Sequence, residues 1–115
     1  VATGFGYEAD RRAAQAELLT KLLPNVRDIR RIGAAALDLC RVAEGTVDAY
    51  FEHGINAWDF AAGAIIAREA GAVVRHPGFD KGSADGELTW AAGADLAPAF
   101  EKLLAAHGAT DALRG

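Results

Sequence analysis

The 115-residue chain is 51% hydrophobic and 24% charged, ordinary values for one globular domain that buries about 65% of its unfolded surface. No apolar run approaches the ~20 residues of a membrane-spanning helix and nothing at the start resembles a secretory signal, so no membrane partner is expected. A net charge of −4, with the basic pairs Arg11-Arg12 and Arg30-Arg31 beside carboxylates, argues against a nucleic-acid partner.

In chain order, Val1 to Phe5 read as a short strand closed by the turn signals Gly4 and Gly6. Ala14, Leu18, Leu19, Leu22 and Leu23 form one stripe and predict a helix from about Asp10 to Leu23, ended by Pro24. Val26 to Ile32 read as extended. Gly33 to Glu44 form a second helix, apolar nearly all round and therefore expected to be deeply buried, with Gly45 as its C-terminal cap. Val47 to Glu52 form a strand, Trp58 to Ala70 a third helix, and Val73-Val74-Arg75 another strand. The Gly-, Asp- and Pro-rich segment His76 to Glu87 predicts an exposed loop. Leu88 to Ala92 form the last strand. Asp95 is expected to cap a helix from about Leu96 to His107, and Ala109 to Gly115 to be a frayed tail. Strands alternating with helices predict an α/β class, with a mainly parallel sheet flanked by helices.

The segment with the most chemical content is Glu52-His53-Gly54-Ile55-Asn56-Ala57-Trp58-Asp59-Phe60-Ala61-Ala62-Gly63. It sets two carboxylates around a helix start. Asp59 falls in or just before the first turn, where unpaired N–H groups and the helix dipole favour negative charge. Such a place suits a carboxylate that stays ionised and holds a cation; a plain helix cap is the bland alternative. Glu52 ends the strand and points to the same loop, where a solvated strand-end residue is the alternative. Gly33, Ala34 and Ala35 open a helix with small side chains, which lets a polar ligand approach free N–H groups. Elsewhere the residues read as structural. Trp58 would anchor the helix start in apolar surroundings, Asp38 and Arg41 would pair at i, i+3, His53 would lie on the surface, and Cys40 would belong to the core. A single cysteine cannot form an internal disulfide, which fits a reducing cytoplasm. The three histidines lack zinc spacing, and neither G-x-S-x-G nor a P-loop is present.

The same segment resembles the W-D-x-A-A-G signature of the inositol monophosphatase family, magnesium-dependent and lithium-sensitive phosphomonoesterases. Three further stretches are similar to that family in order and spacing: Ile29 to Cys40 to R-x-x-G-[ST]-A-A-L-D-L-C, Val42 to Glu52 to V-A-x-G-x-x-D-A-Y-x-E, and Ile65 to Gly71 to I-I-x-x-E-A-G. The opening Ala2-Thr3-Gly4-Phe5 is similar to its A-T-G-F turn. The resemblance implies that Asp59 is a catalytic Mg2+ ligand, that Glu52 binds substrate hydroxyl groups, and that Gly33, Ala34 and Ala35 line the substrate pocket through their backbone. Ala34 departs from the family's serine or threonine, which removes a hydroxyl there.

The resemblance also places this chain in the C-terminal portion of a five-layer αβαβα sandwich. The absent N-terminal half, with its G-E-E and D-P-[IL]-D-G-T elements, would bring most metal ligands. A chain that starts at Val1 and holds no methionine reads as such a piece. The implied function is hydrolysis of inositol monophosphate or a related small sugar or polyol phosphate ester, by a cytoplasmic homodimer. The alternative is a catalytically silent fragment that serves assembly or binds a partner.

Overall fold

The computed structural model describes residues 1–113. Four strands form one sheet: β1 (Ala2–Thr3), β2 (Ala49–His53), β3 (Val73–Arg75) and β4 (Leu88–Ala92), in the order β1-β2-β4-β3. Four helices cover it: α1 (Ala9–Leu22), α2 (Ala35–Glu44), α3 (Ala57–Glu69) and α4 (Ala97–Ala106).

The α/β class stands, but the sheet is mixed rather than mainly parallel. β1 and β2 pair in parallel, Ala2 opposite Tyr50. The β2–β4 and β4–β3 ladders are both antiparallel, from Ala49 opposite Ala92 and from Val73 opposite Ala92. Helical connections do make β1, β2 and β3 run the same way. The last strand then returns on itself and slots between β2 and β3, an adjacency that local patterning does not encode.

Strand alternation divides the core. Tyr50 and Ala91 face α2 and α3, where Leu39, Val42, Phe60, Ala64 and Ala67 pack on them. Ala49, Phe51, Trp90 and Ala92 face the other way, against Leu18 and Leu22 of α1 and Phe100 and Leu104 of α4. α2 and α3 approach closely because Gly63 has no side chain: a Cβ there would lie 2.8 Å from Leu39 Cβ and 3.4 Å from Ala36 O.

Three further expectations give way here. α2 starts at Ala35 and is buried on one side only. Leu37 is 53% exposed, and Ile65 and Ile66 of α3 are exposed as well. Asp95 does not cap α4; its first turn is held by the Gly93 carbonyl, which accepts from the N–H groups of Leu96 and Ala97. The tail is fastened as far as Leu113, whose N–H donates to Gly86 O at 2.8 Å and whose carbonyl accepts from Arg11 Nε at 2.7 Å. Residues 114–115 of the expected frayed end lie outside the described residues.

Candidate functional site

A cleft of about 430 Å³ opens where the strand ends β1 and β2 meet the first turns of α2 and α3. This is the position at which open α/β sheets collect ligands. Asp59, Glu52, Gly33, Ala34 and Ala35 all line it, together with Gly4, Arg31, Trp58 and Ser83. Residues up to 79 positions apart in sequence, from Gly4 to Ser83, are thus brought to one concavity.

Asp59 is the third residue of α3. Its Oδ2 accepts from the Asn56 N–H at 2.9 Å, so the carboxylate does cap the turn that leads into its own helix. Oδ1 makes no hydrogen bond among the described residues, so capping leaves one oxygen for a ligand. Asn56 Oδ1 accepts from Ser83 N–H at 2.7 Å, which ties the turn to the loop before β4. That segment, expected to be merely exposed, therefore closes one side of the cleft. It is further held by Phe79, whose ring stacks on Phe60 at 5.9 Å, with His76 against both.

Glu52 projects from β2 on the same face as Tyr50, whose hydroxyl donates to Glu52 Oε1 at 2.8 Å. Its carboxylate fills the space left by the missing side chain of Gly4, where a Cβ would fall 2.4 Å from Oε1. Burial pushes the Glu52 carboxyl above its ordinary value, while the Tyr50 hydroxyl and Arg31 pull it back and Asp59 adds to the rise. Tyr50 itself is held well above its usual range by burial and by Glu52, so it remains an O–H donor.

The turn into α2 depends on Gly33, whose φ of +92° suits a residue without Cβ. Ala34 follows in extended backbone, and no side chain caps the helix there. The N–H groups of this first turn border the cleft.

Several residues behave otherwise than their local sequence suggests. Trp58 is 81% exposed and forms part of the cleft mouth rather than an apolar anchor. His53 is 2% exposed, not superficial: its Nε2–H donates to Ala109 O at 2.6 Å, and burial lowers its pKa. Asp38 is buried with no hydrogen-bond partner among the described residues, whereas Arg41 is exposed, so the expected ion pair does not form. Arg11 was not foreseen at all. Its buried guanidinium lies behind Gly54 and reaches Ser83 Oγ at 3.4 Å. Only the acid in an otherwise apolar helix stretch could have drawn attention to Asp38; Arg11 carries no such signal.

As a metal site the cleft is partial. Among the described residues no three His, Cys, Asp or Glu side chains converge to hold an ion. Asp59 fits as one hard oxygen ligand of the kind Mg2+ takes.

The sequence profile described as the Inositol monophosphatase family matches residues 1–112. The inositol-1-monophosphatase of Mycobacterium leprae is 65% identical over 75 residues, 65% of this chain and 26% of that protein. A Nus factor SuhB of Pasteurella multocida is 51% identical over 73 residues, 63% of this chain and 27% of that protein. Among solved structures, Mycobacterium tuberculosis SuhB superposes with a TM-score of 0.84 at 47% identity, covering 96% of this chain and 42% of that one. An inositol monophosphatase from Anabaena (Nostoc) gives 0.74 at 35% identity, covering 91% and 42%. The chain thus spans about a quarter of the length of these curated relatives and about two fifths of these structures. No helix among the described residues is long and apolar enough to cross a membrane.

Proposed function

Because this chain belongs to the inositol monophosphatase family, we propose that it is the C-terminal half of a magnesium-dependent, lithium-sensitive phosphomonoesterase. Its substrate would be inositol monophosphate or a related small sugar or polyol phosphate. One observation carries this reading: Asp59, Glu52 and the Gly33–Ala35 turn border a single cleft of about 430 Å³.

Each part has a task that follows from its chemistry. Glu52, backed by Tyr50 and Gly4, accepts hydrogen bonds from the hydroxyl groups of the polyol and so fixes its orientation. The N–H groups at the start of α2 face polar atoms of the substrate, and Gly33 keeps that turn free of side-chain bulk. Trp58 gives the mouth an apolar wall. Asp59 would hold Mg2+ with the carboxylate oxygen that capping leaves open, while its Oδ2 keeps the helix start in place. The chemistry a bound ion supplies is activation of water and neutralisation of phosphoryl charge. Within this chain the residues bind and orient; the remaining carboxylates would arrive with the N-terminal half. A homodimer working in the cytoplasm completes the proposal.

The assay is phosphate release from inositol 1-phosphate by the full-length protein with Mg2+, with Li+ as inhibitor. Asp59→Asn should lower the rate by about 100-fold or more, as loss of a metal ligand does. A rate within a few-fold of normal would overturn the metal assignment.

A second reading, a catalytically silent module for assembly or partner binding, is favoured by two observations. No three His, Cys, Asp or Glu side chains among the described residues converge to hold an ion, and Leu37 of α2 and Ile65 and Ile66 of α3 are exposed apolar side chains. Joining the N-terminal half, in one chain or as a second, should produce turnover under the first reading and none under the second.

A further inference from the structure

Three arginines gather at the outer corner of the cleft, and one of them keeps its N–H groups free among the described residues. Arg12 donates from Nη1 to Gly6 O at 3.0 Å, and Arg30 is taken by the Asp28 carboxylate and by Ile29 O. Arg31 makes no hydrogen bond or ion pair among the described residues, yet it lines the cleft. Its guanidinium is nonetheless held in place. Cζ stands 5.8 Å from the centre of the Phe5 ring, a cation–π contact that Arg12 makes with the same ring at the same distance. Nη1 lies 4.0 Å from where a Cβ on Gly33 would be, so the group sits between Phe5 and the Gly33 turn, both of which border the cleft.

The sheet order decides which end of a ligand this group meets. The backbone of Arg30 bridges Ala2, with the Thr3 N–H donating to Arg30 O at 2.9 Å, so Arg31 stands beyond β1 at the edge of the sheet. Asp59 belongs to the other side of β2. The turn that leads into its helix is tied by Asn56 to Ser83, in the segment before β4. Glu52 projects from β2 between the two. Metal ligand, polyol acceptor and guanidinium thus follow one another across a cleft of about 430 Å³. A substrate that puts its phosphate at Asp59 and its hydroxyl groups on Glu52 turns its far end to Arg31. A free guanidinium meets a carboxylate or a phosphate in two parallel, charge-assisted bonds, which a neutral hydroxyl group cannot match.

We propose that Arg31, held against the Phe5 ring, is a specificity-determining residue that binds a second anionic group, carboxylate or phosphate, at the end of the substrate remote from the ester being cleaved. Among the polyol phosphates of the proposed reaction, those with an acidic far end are then the favoured substrates. This rests on the reading of Asp59 and Glu52 as the phosphate and polyol ends of the cleft. The competing role for Arg31 is as counter-charge to Glu52, whose carboxyl it draws down against the effect of burial. A counter-charge treats every substrate alike; a site for a second anion does not.

The test uses the full-length protein at fixed free Mg2+, with KM read by phosphate release from glucitol 6-phosphate, 6-phosphogluconate and glucitol 1,6-bisphosphate. The three share one carbon chain and differ only at its far end, which is a hydroxyl, a carboxylate or a phosphate. An anionic far end should lower KM by about tenfold relative to glucitol 6-phosphate, as a charge-assisted pair does, and a preference for one of the two acids names the group. Arg31→Gln should bring the ratio close to one, and Phe5→Leu, which removes the ring but not the charge, should reduce it. Equal KM values in the unsubstituted protein, or a preference that survives Arg31→Gln, overturn the proposal. An equal rise for all three esters in Arg31→Gln assigns Arg31 to Glu52 alone and overturns it too. A ratio unmoved by Phe5→Leu overturns the part given to the ring. If no phosphate is released even from inositol 1-phosphate, the phosphatase reading falls and takes this one with it; release from inositol 1-phosphate with no preference for an anionic far end removes only the role of Arg31.

Discussion

The two faces of the sheet are built to different specifications. The face under α1 and α4 is filled by large rings: Phe51, Trp90 and Phe100 meet at centroid distances of 5.9 and 6.4 Å, with Leu18, Leu22 and Leu104 around them. The face under α2 and α3 also buries large side chains, Tyr50, Phe60 and Leu39, but the helices themselves meet through small residues, with Gly63 at the crossing and Ala64 and Ala67 beyond it. Both unsatisfied buried side chains found among the described residues, Asp38 and Thr89, belong to that second side, since Thr89 alternates with Leu88 and Trp90. Aromatic packing supplies burial without chemistry. Close backbone approach costs burial but brings two helix starts and a strand end within reach of one ligand. The cleft therefore opens on the side where the helices approach most closely, and ring-on-ring packing lies on the other.

That division can be broken by substitution. The largest effect is expected at the aromatic side: Phe100→Ala should destabilise the full-length protein by about 3–5 kcal/mol in chemical denaturation, with KM unchanged. A shifted KM would show that the two faces are coupled. At the helix crossing, Gly63→Ala must displace Leu39, whose Cβ and Cδ1 stand 2.8 and 2.9 Å from the new atom. A loss of about 1–3 kcal/mol should follow, and an unaltered denaturation midpoint would mean that α2 and α3 can slide apart freely. The smallest effect on folding is expected at the cleft. Gly4→Ala places a methyl against the Glu52 carboxylate, where the neighbouring atom is the end of a side chain rather than backbone. Glu52 should turn away, raising KM by about tenfold, as loss of a charge-assisted hydrogen bond does, with little change in stability. An unchanged KM would remove Glu52 from substrate binding.

The sequence was most informative where function requires a local device. Gly33, Gly45 and Gly54 adopt positive φ, and glycine at such turns is legible because few other residues tolerate them. Asp59 at a helix start and Glu52 at a strand end follow from the same local logic, and the cleft gathers both. What escaped was set by distant pairings. His53 is buried because Ala109, 56 residues away, supplies its acceptor. β4 lies between β2 and β3 through ladders that no short window contains. Asp38 finds no hydrogen bond among the described residues, and Arg41, three positions on, is exposed to solvent. Helical periodicity could name an apolar helix in α2, but not that half of it would face outward.

The hold on Leu113 has a consequence for the cleft. Arg11 takes the Leu113 carbonyl 102 residues away in sequence, while its side chain lies within 3.0 Å of where Cβ atoms on Gly6 and Gly54 would be. Both of those glycines form part of the rim. One guanidinium therefore works as a tie-rod between Leu113 and the two loops that shape the opening. Loosening position 113 would widen the entrance without touching any residue inside it.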